Sequence, residues 1–188
     1  STVNRYCASG LETIAIATAK IRSGMADCII AGGTESMSLV PTAGWKTVPA
    51  YSIAKDDPDY YLSMGLTAEA VAKEYKVSRE DQDEFALISH QKAKHAIDNG
   101  YFKGGILPIT IEQVYVDEKN KRKMKSFTVD TDDGVRADTS IEALSKLKPA
   151  FAKGGSVTAG NSSQTSDGAA FVIVMSERMI NELSLKPI

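Results

Sequence analysis

Cys7 is the residue whose type and place most directly suggest covalent chemistry. It stands at the junction VNRYC-ASGLETI, where a non-helical segment meets a helical pattern. A cysteine in the first turn of a helix feels unpaired N–H groups and the positive end of the backbone dipole. Those features lower a thiol pKa and favour the thiolate, the nucleophilic form. The same amides can hold an oxyanion that develops on an attacked carbonyl. Ala8, Ser9 and Gly10 are small and leave a substrate room to approach. A small buried hydrophobe at a helix start is the competing account, and position alone does not separate the two.

The other reactive residue types are less suggestive. Cys28 sits among Asp27, Ile29 and Ile30 and reads as a buried structural thiol. His90 and His95 are five residues apart on one amphipathic helix, the wrong spacing for a single face, and read as solvated. Neither cysteine has a CxxC partner and both histidines are distant, so no zinc or other metal site is expected. Glu35, charged beside an apolar run, suggests either a subunit contact or a buried pair.

The elements that must position Cys7 come next. Leu11, Ile14, Ala15, Thr18 and Ile21 recur at helical spacing and predict a helix over 8–23 with a buried stripe, stopped by Gly24. ADCIIAGG then has the pattern of a fully buried strand of a parallel or mixed sheet. Residues 41–62 hold three Pro, several Tyr and the acidic cluster Asp56, Asp57 and Asp59, which predicts a long irregular excursion. Helices follow over 65–75 and 79–98, the second started by Ser78 with Asp81 three residues on and ended by Asn99-Gly100. Residues 106–116 and 125–130 predict a hairpin around the basic tip EKNKRKMK. Thr139 or Ser140 caps a helix reaching Lys148, closed by Pro149. SVTAGNSS reads as strand-then-turn, GAAFVIVM as a second buried strand, and Ser176 as the cap of a short helix. The pattern is α/β: a sheet domain at 1–41 and 154–188, with a more helical insertion at 42–153.

Composition narrows the function classes. The 188 residues are 43% hydrophobic and 24% charged with net charge −2, a globular profile without the basic stripe that nucleic acid requires. The apolar runs are too short for a membrane span. Two cysteines in a chain of this size point to a reducing, cytoplasmic setting rather than a disulfide framework. The chain opens Ser-Thr-Val-Asn without Met, so its true start is expected upstream.

VNRYCASGLETIA resembles the nucleophile signature of the thiolases. AGGTESMS, SMGLTAEAVA, SREDQDEFALISHQKA, KLKPAF and VTAGNSSQTSDGAA are similar to further thiolase segments in the same order, so the resemblance covers essentially the whole chain. It implies part of the layered αβαβα thiolase fold, with 42–153 as the loop domain that covers CoA. It also implies acyl transfer between a cysteine and coenzyme A, by 3-ketoacyl-CoA cleavage or acetyl-CoA condensation. A thiolate is a strong nucleophile and a thioester stays activated, which suits covalent catalysis. By matching motif, Cys7 is the acyl acceptor and its own N–H part of an oxyanion hole. Met64 lines the acyl-CoA pocket, Arg136 in GVRADTS contacts the nucleotide end of CoA, and Ala159, Gly160 and Ser163 lie along the pantetheine channel. Each has a plainer alternative: Met64 as core filler, Arg136 as a surface charge, Gly160 as a turn.

The resemblance makes coenzyme A a substrate, implies no separate cofactor, and implies a homo-oligomer formed through the sheet near Gly32–Ser38. Two departures qualify it. Ser63 stands where many biosynthetic thiolases have His, which leans the chain toward the degradative type. Residues 41–62 differ at the tetramer-forming loop. The family's GHP, CxGxG and NEAF strings, which carry its His, second cysteine and oxyanion asparagine, do not occur here. This polypeptide alone is therefore expected not to turn over. Other readings are an acyl-CoA or lipid-binding module on the same fold, a ketoacyl synthase, which TAGNSSQTSDGAA fits less well, and a cysteine hydrolase, for which no His is suitably placed.

Overall fold

Local signals explain most of the elements in the computed structural model, which describes residues 1–41, 44 and 46–188. A 3₁₀ turn at Tyr6–Ala8 runs directly into α1 (Ser9–Arg22), followed by β1 (Cys28–Ser36). Then come α2 (Tyr51–Asp56), a second 3₁₀ turn at Pro58–Tyr61, α3 (Met64–Tyr75) and α4 (Arg79–Asp98). The hairpin β2 (Ile109–Val116) and β3 (Arg122–Val129), α5 (Ile141–Ser145), β4 (Asp167–Met175) and α6 (Glu177–Glu182) complete the order. Ser63, Ser78, Ser140 and Ser176 each accept a backbone N–H in the first turn of their helices. At α4, Asp81 answers with its carboxylate on the Ser78 N–H, so the capping box read from the sequence is formed.

The chain divides into two compact units, 1–48 with 165–188, and 49–164. Residues 154–164 thus group with the helical insertion, where side chains of α3 and α4 bond them, rather than with the sheet. In the first unit β1 pairs with β4, antiparallel, from Cys28↔Met175 to Ser36↔Asp167. The ends of this ladder are pinned by side chains. Asp167 accepts the Ser38 N–H (2.9 Å) and the Ser38 hydroxyl, and these bonds lower its pKa. Asp27 accepts the Ser176 hydroxyl (3.0 Å) and Arg178, and its pKa is lowered in that order of cause.

Helix α1 covers one face of this ladder. Ala17 (2% exposed) meets the side of β1 that carries Ala31 (4%), two small residues that allow close approach. Ile14, Thr18 and Ile21 are half-buried, but Leu11 and Ala15 point outward, so the buried stripe is narrower than the sequence suggested. The expectation of a strand buried on both sides fails for the same reason. Ile30, Phe171 and Ile173 share the face opposite α1 and are 61–70% exposed. Cys28 lies on that open side and is exposed, not a sealed thiol. Glu35 is also exposed; its carboxylate accepts the adjacent Ser36 N–H, so it is no buried pair.

Several boundaries of the second unit differ from expectation. The excursion at 41–62 contains α2 and a 3₁₀ turn; Thr42, Ala43 and Trp45 within it lie outside the described residues. Strand β3 begins at Arg122, three residues early, because the turn closes at 117–121, where Asp117 accepts the N–H groups of Lys119 and Lys121 at 2.9 Å. Helix α5 ends at Ser145, and the expected strand at SVTAGNSS is a single bridge between Pro149 and Thr158.

Candidate functional site

Cys7 occupies the middle of the 3₁₀ turn immediately ahead of α1 and is exposed. It therefore precedes the helix rather than sitting in its first α-turn; Ala8 is the N-cap and offers no side-chain acceptor. Tyr6 adopts φ +49°, a left-handed conformation that costs a non-glycine residue about 1–2 kcal/mol. Neighbouring side chains hold this strained turn. Asn4 Oδ1 accepts the Tyr6 N–H at 2.9 Å, and the Ser9 hydroxyl donates to the Tyr6 carbonyl at 2.7 Å. Ser9 Oγ also accepts the Arg5 N–H (2.8 Å), and the Arg5 guanidinium pairs with Glu12 (2.8 Å). Asn4, Arg5, Ser9 and Glu12, all within one short motif, fix the approach of the backbone to Cys7.

Met64, Arg136, Ala159, Gly160 and Ser163 belong to the second unit, and Cys7 to the first. Ala159, Gly160 and Ser163 lie on a turn whose inner side is anchored at Thr158, which is fully buried. Asn161 Oδ1 accepts the Thr158 N–H at 2.7 Å, and Thr158 Oγ1 accepts the Gly160 N–H at 3.2 Å. A Cβ on Gly160 would stand 2.5 Å from Leu147 Cδ1 and 2.6 Å from Leu144 Cδ2, so any side chain here would have to displace both leucines. Ala159 and Ser163 face outward.

Glu69 of α3 secures the segment leading into this turn. Its carboxylate accepts the Ser156 N–H (2.9 Å), the Val157 N–H (2.9 Å) and the Ser156 hydroxyl (3.3 Å). Burial opposes the charged form of Glu69, but these donors outweigh it and hold the carboxyl below the usual carboxylate range. Gly155 admits the carboxylate, since a Cβ there would collide with it.

Met64 opens α3, five residues before Glu69, and is 74% exposed, so it is not core filler in this chain. Ser63, read only as a departure from the biosynthetic pattern, has a structural task as the α3 cap. Arg136 is exposed, and its backbone N–H donates to Nδ1 of His90 at 3.1 Å. His90 is thus half-buried and tied to the 136 loop, not simply solvated. His90, Lys94, His95, Arg136 and Thr139 are among the residues lining a cleft of about 290 Å³. The sequence reading did not single out Glu69, Asp83 or Asn161. For Asp83 a signal was available, because Arg79 stands four residues earlier at ion-pair spacing.

No helix is long and apolar enough to cross a membrane, and no group of three metal-ligating side chains comes together among the described residues.

Comparison with known proteins bears on this arrangement. The family model "Thiolase, N-terminal domain" matches residues 1–178. The 3-ketoacyl-CoA thiolase of Bacillus subtilis is 52% identical over all of this chain and 48% of its own length. The human peroxisomal 3-ketoacyl-CoA thiolase is 45% identical over 98% of this chain and 43% of its own. The chain spans about half the length of these relatives. Among solved structures, the dimeric peroxisomal thiolase of Saccharomyces cerevisiae superposes with a TM-score of 0.81 at 36% identity, covering 97% of this chain and 45% of that one. The Cys7 turn and the 156–163 turn both fall inside the matched span, and the chain belongs to the thiolase family, of which it carries the N-terminal domain.

Proposed function

We propose that this chain supplies the acyl-accepting cysteine and part of the coenzyme A channel of a thiolase. The observation that carries the proposal is Cys7 itself: an exposed sulfur on a strained, side-chain-braced turn that opens directly into α1. In the cleavage direction Cys7 Sγ attacks the 3-keto carbon of a 3-ketoacyl-CoA. The sulfur–acyl bond forms, the bond between C2 and C3 breaks, and the electron pair leaves on C2 of acetyl-CoA, which takes up a proton. The sulfur of a second CoA then attacks the acyl thioester and frees Cys7. Negative charge on the attacked oxygen is favoured near the Cys7 N–H and the positive end of α1. The proton transfers are assigned to no residue of this chain.

Coenzyme A is a substrate in this scheme. Met64 borders the acyl end, Ala159, Gly160 and Ser163 border the pantetheine, and Arg136 meets the nucleotide. Arg136 supports its part by being a permanent, exposed cation on the wall of the 290 Å³ cleft. Two copies pair through β1 near Gly32–Ser38. Support comes from the exposed Ile30, Phe171 and Ile173 and from a ladder in which β1 has β4 as its one partner among the described residues.

The test uses the second cysteine as an internal control, since Cys7 and Cys28 are both exposed. Incubation with acetoacetyl-CoA and peptide mass analysis should place an acyl group on Cys7 and leave Cys28 free. Equal labelling of both, or none on Cys7, would refute the assignment. CoA binding without acylation would favour the acyl-CoA-binding module instead.

A further inference from the structure

Asp83 is a charged residue on α4, yet it is only 3% exposed and no catalytic step uses it. Its two oxygens are both engaged: Oδ2 by Arg79 Nε at 2.8 Å and Oδ1 by Asn161 Nδ2 at 2.9 Å. The partners continue the connection. Arg79 Nη2 donates to the carbonyls of Leu144 (2.7 Å) and Leu147 (3.0 Å), the two residues whose side chains form the floor under Gly160. Asn161 spends its remaining donor on the Ser156 carbonyl (3.1 Å) and its oxygen on the Thr158 N–H (2.7 Å). One buried carboxylate thus fixes the apolar floor of the 158–163 turn through Arg79 and its polar pins through Asn161.

Such a network is a poor way to gain stability. Removing a carboxylate and a guanidinium from water carries a large desolvation cost, and well-packed apolar residues of the same volume often do as well or better. What a buried, fully paired network does provide is a single conformation. Here that conformation turns Asn161 and Thr158 inward and leaves Ala159 and Ser163 at the surface.

We propose that Asp83 and Asn161 are positioning residues that preset the 158–163 turn to receive the pantetheine arm of coenzyme A. The proposal rests on the function proposed above, and the experiment separates the two. Affinity of the chain is measured for CoA and for adenosine 3′,5′-bisphosphate, which carries the nucleotide end without the pantetheine. Asp83→Asn and Asn161→Asp should each weaken CoA by roughly tenfold, the scale of one misplaced set of hydrogen bonds, and leave the bisphosphate unchanged. Asn161→Asp keeps the acceptor for Thr158 but sets a carboxylate against Asp83. Adding Asp83→Asn to it restores a donor–acceptor pair and should recover part of the lost affinity. Unchanged CoA affinity in both single variants, or a parallel fall for both ligands, overturns the positioning role. A wild-type chain that binds the bisphosphate but not CoA overturns the pantetheine assignment of the turn instead, and one that binds neither overturns the coenzyme A reading as a whole. Should Asn161→Asp lose its folded circular-dichroism signal, amide exchange in the folded Asp83→Asn variant decides: faster exchange at Gly160 with the amides of α3 unchanged supports the proposal, and unchanged exchange at Gly160 overturns it.

Discussion

Replacing Glu69 with Ala removes the acceptor of two backbone N–H groups and one hydroxyl at once. Val157 is 4% exposed, so its N–H is stranded away from water, a loss of about 1–3 kcal/mol. Ser156 is half-buried and water can replace part of its bonding, which brings the total to roughly 2–4 kcal/mol. For a chain of this length that is a fall of about 5–15 °C in melting temperature. Glu69→Gln keeps an acceptor but not the charge, and neutral bonds have about half the strength of charge-assisted ones, so it should lose roughly half as much. The pH dependence has a definite sign. The carboxyl is held below the ordinary glutamate value of 4.5 in the fold, so its contribution is present above that value and is lost as pH falls through the folded pKa. Denaturant unfolding of wild type, Glu69→Ala and Glu69→Gln at neutral and acid pH measures all of this. A Glu69→Ala penalty under about 0.5 kcal/mol, the range of an ordinary surface change, refutes the reasoning. So does a gap between wild type and Glu69→Gln that persists unchanged in acid.

Three further outcomes are expected. Gly160→Ala, whose Cβ would press on Leu144 and Leu147, should cost about 1–3 kcal/mol in thermal unfolding and weaken CoA in calorimetry. Iodoacetamide is expected to label Cys7 ahead of Cys28 in the wild type, and Ser9→Ala, which deletes the hydroxyl that bridges Arg5 and Tyr6, should reduce that difference, read by peptide mass analysis. The chain mixed with acetoacetyl-CoA and CoA should show no thiolysis above the uncatalysed rate by ultraviolet absorbance, because its sequence holds none of the GHP, CxGxG or NEAF strings.

The sequence by itself determined whatever is settled within a few residues. The caps at Ser78, Ser140 and Ser176, the long helix ended at Asn99-Gly100 and the junction at Cys7 all depend on hydrogen bonds or dihedrals local to the chain. The ordered motifs from VNRYC to TAGNSS likewise carried the family, because they are strings. Only the tertiary structure decided which faces are covered. After Asp27 the run CIIAGG is apolar and so looks buried on both sides, but α1 covers one side, and Cys28 and Ile30 stand on the other. The antiparallel pairing of β1 with β4 was equally out of reach, since strand direction is set by where a distant segment returns. The braces of the candidate channel were hidden for the same physical reason. Glu69 and Asp83 resemble solvated charges on amphipathic helices until the chain brings Ser156 and Asn161, 87 and 78 residues downstream, within hydrogen-bond distance. A helix declares its period locally, whereas the partner of a buried charge is chosen only when remote segments close on one another.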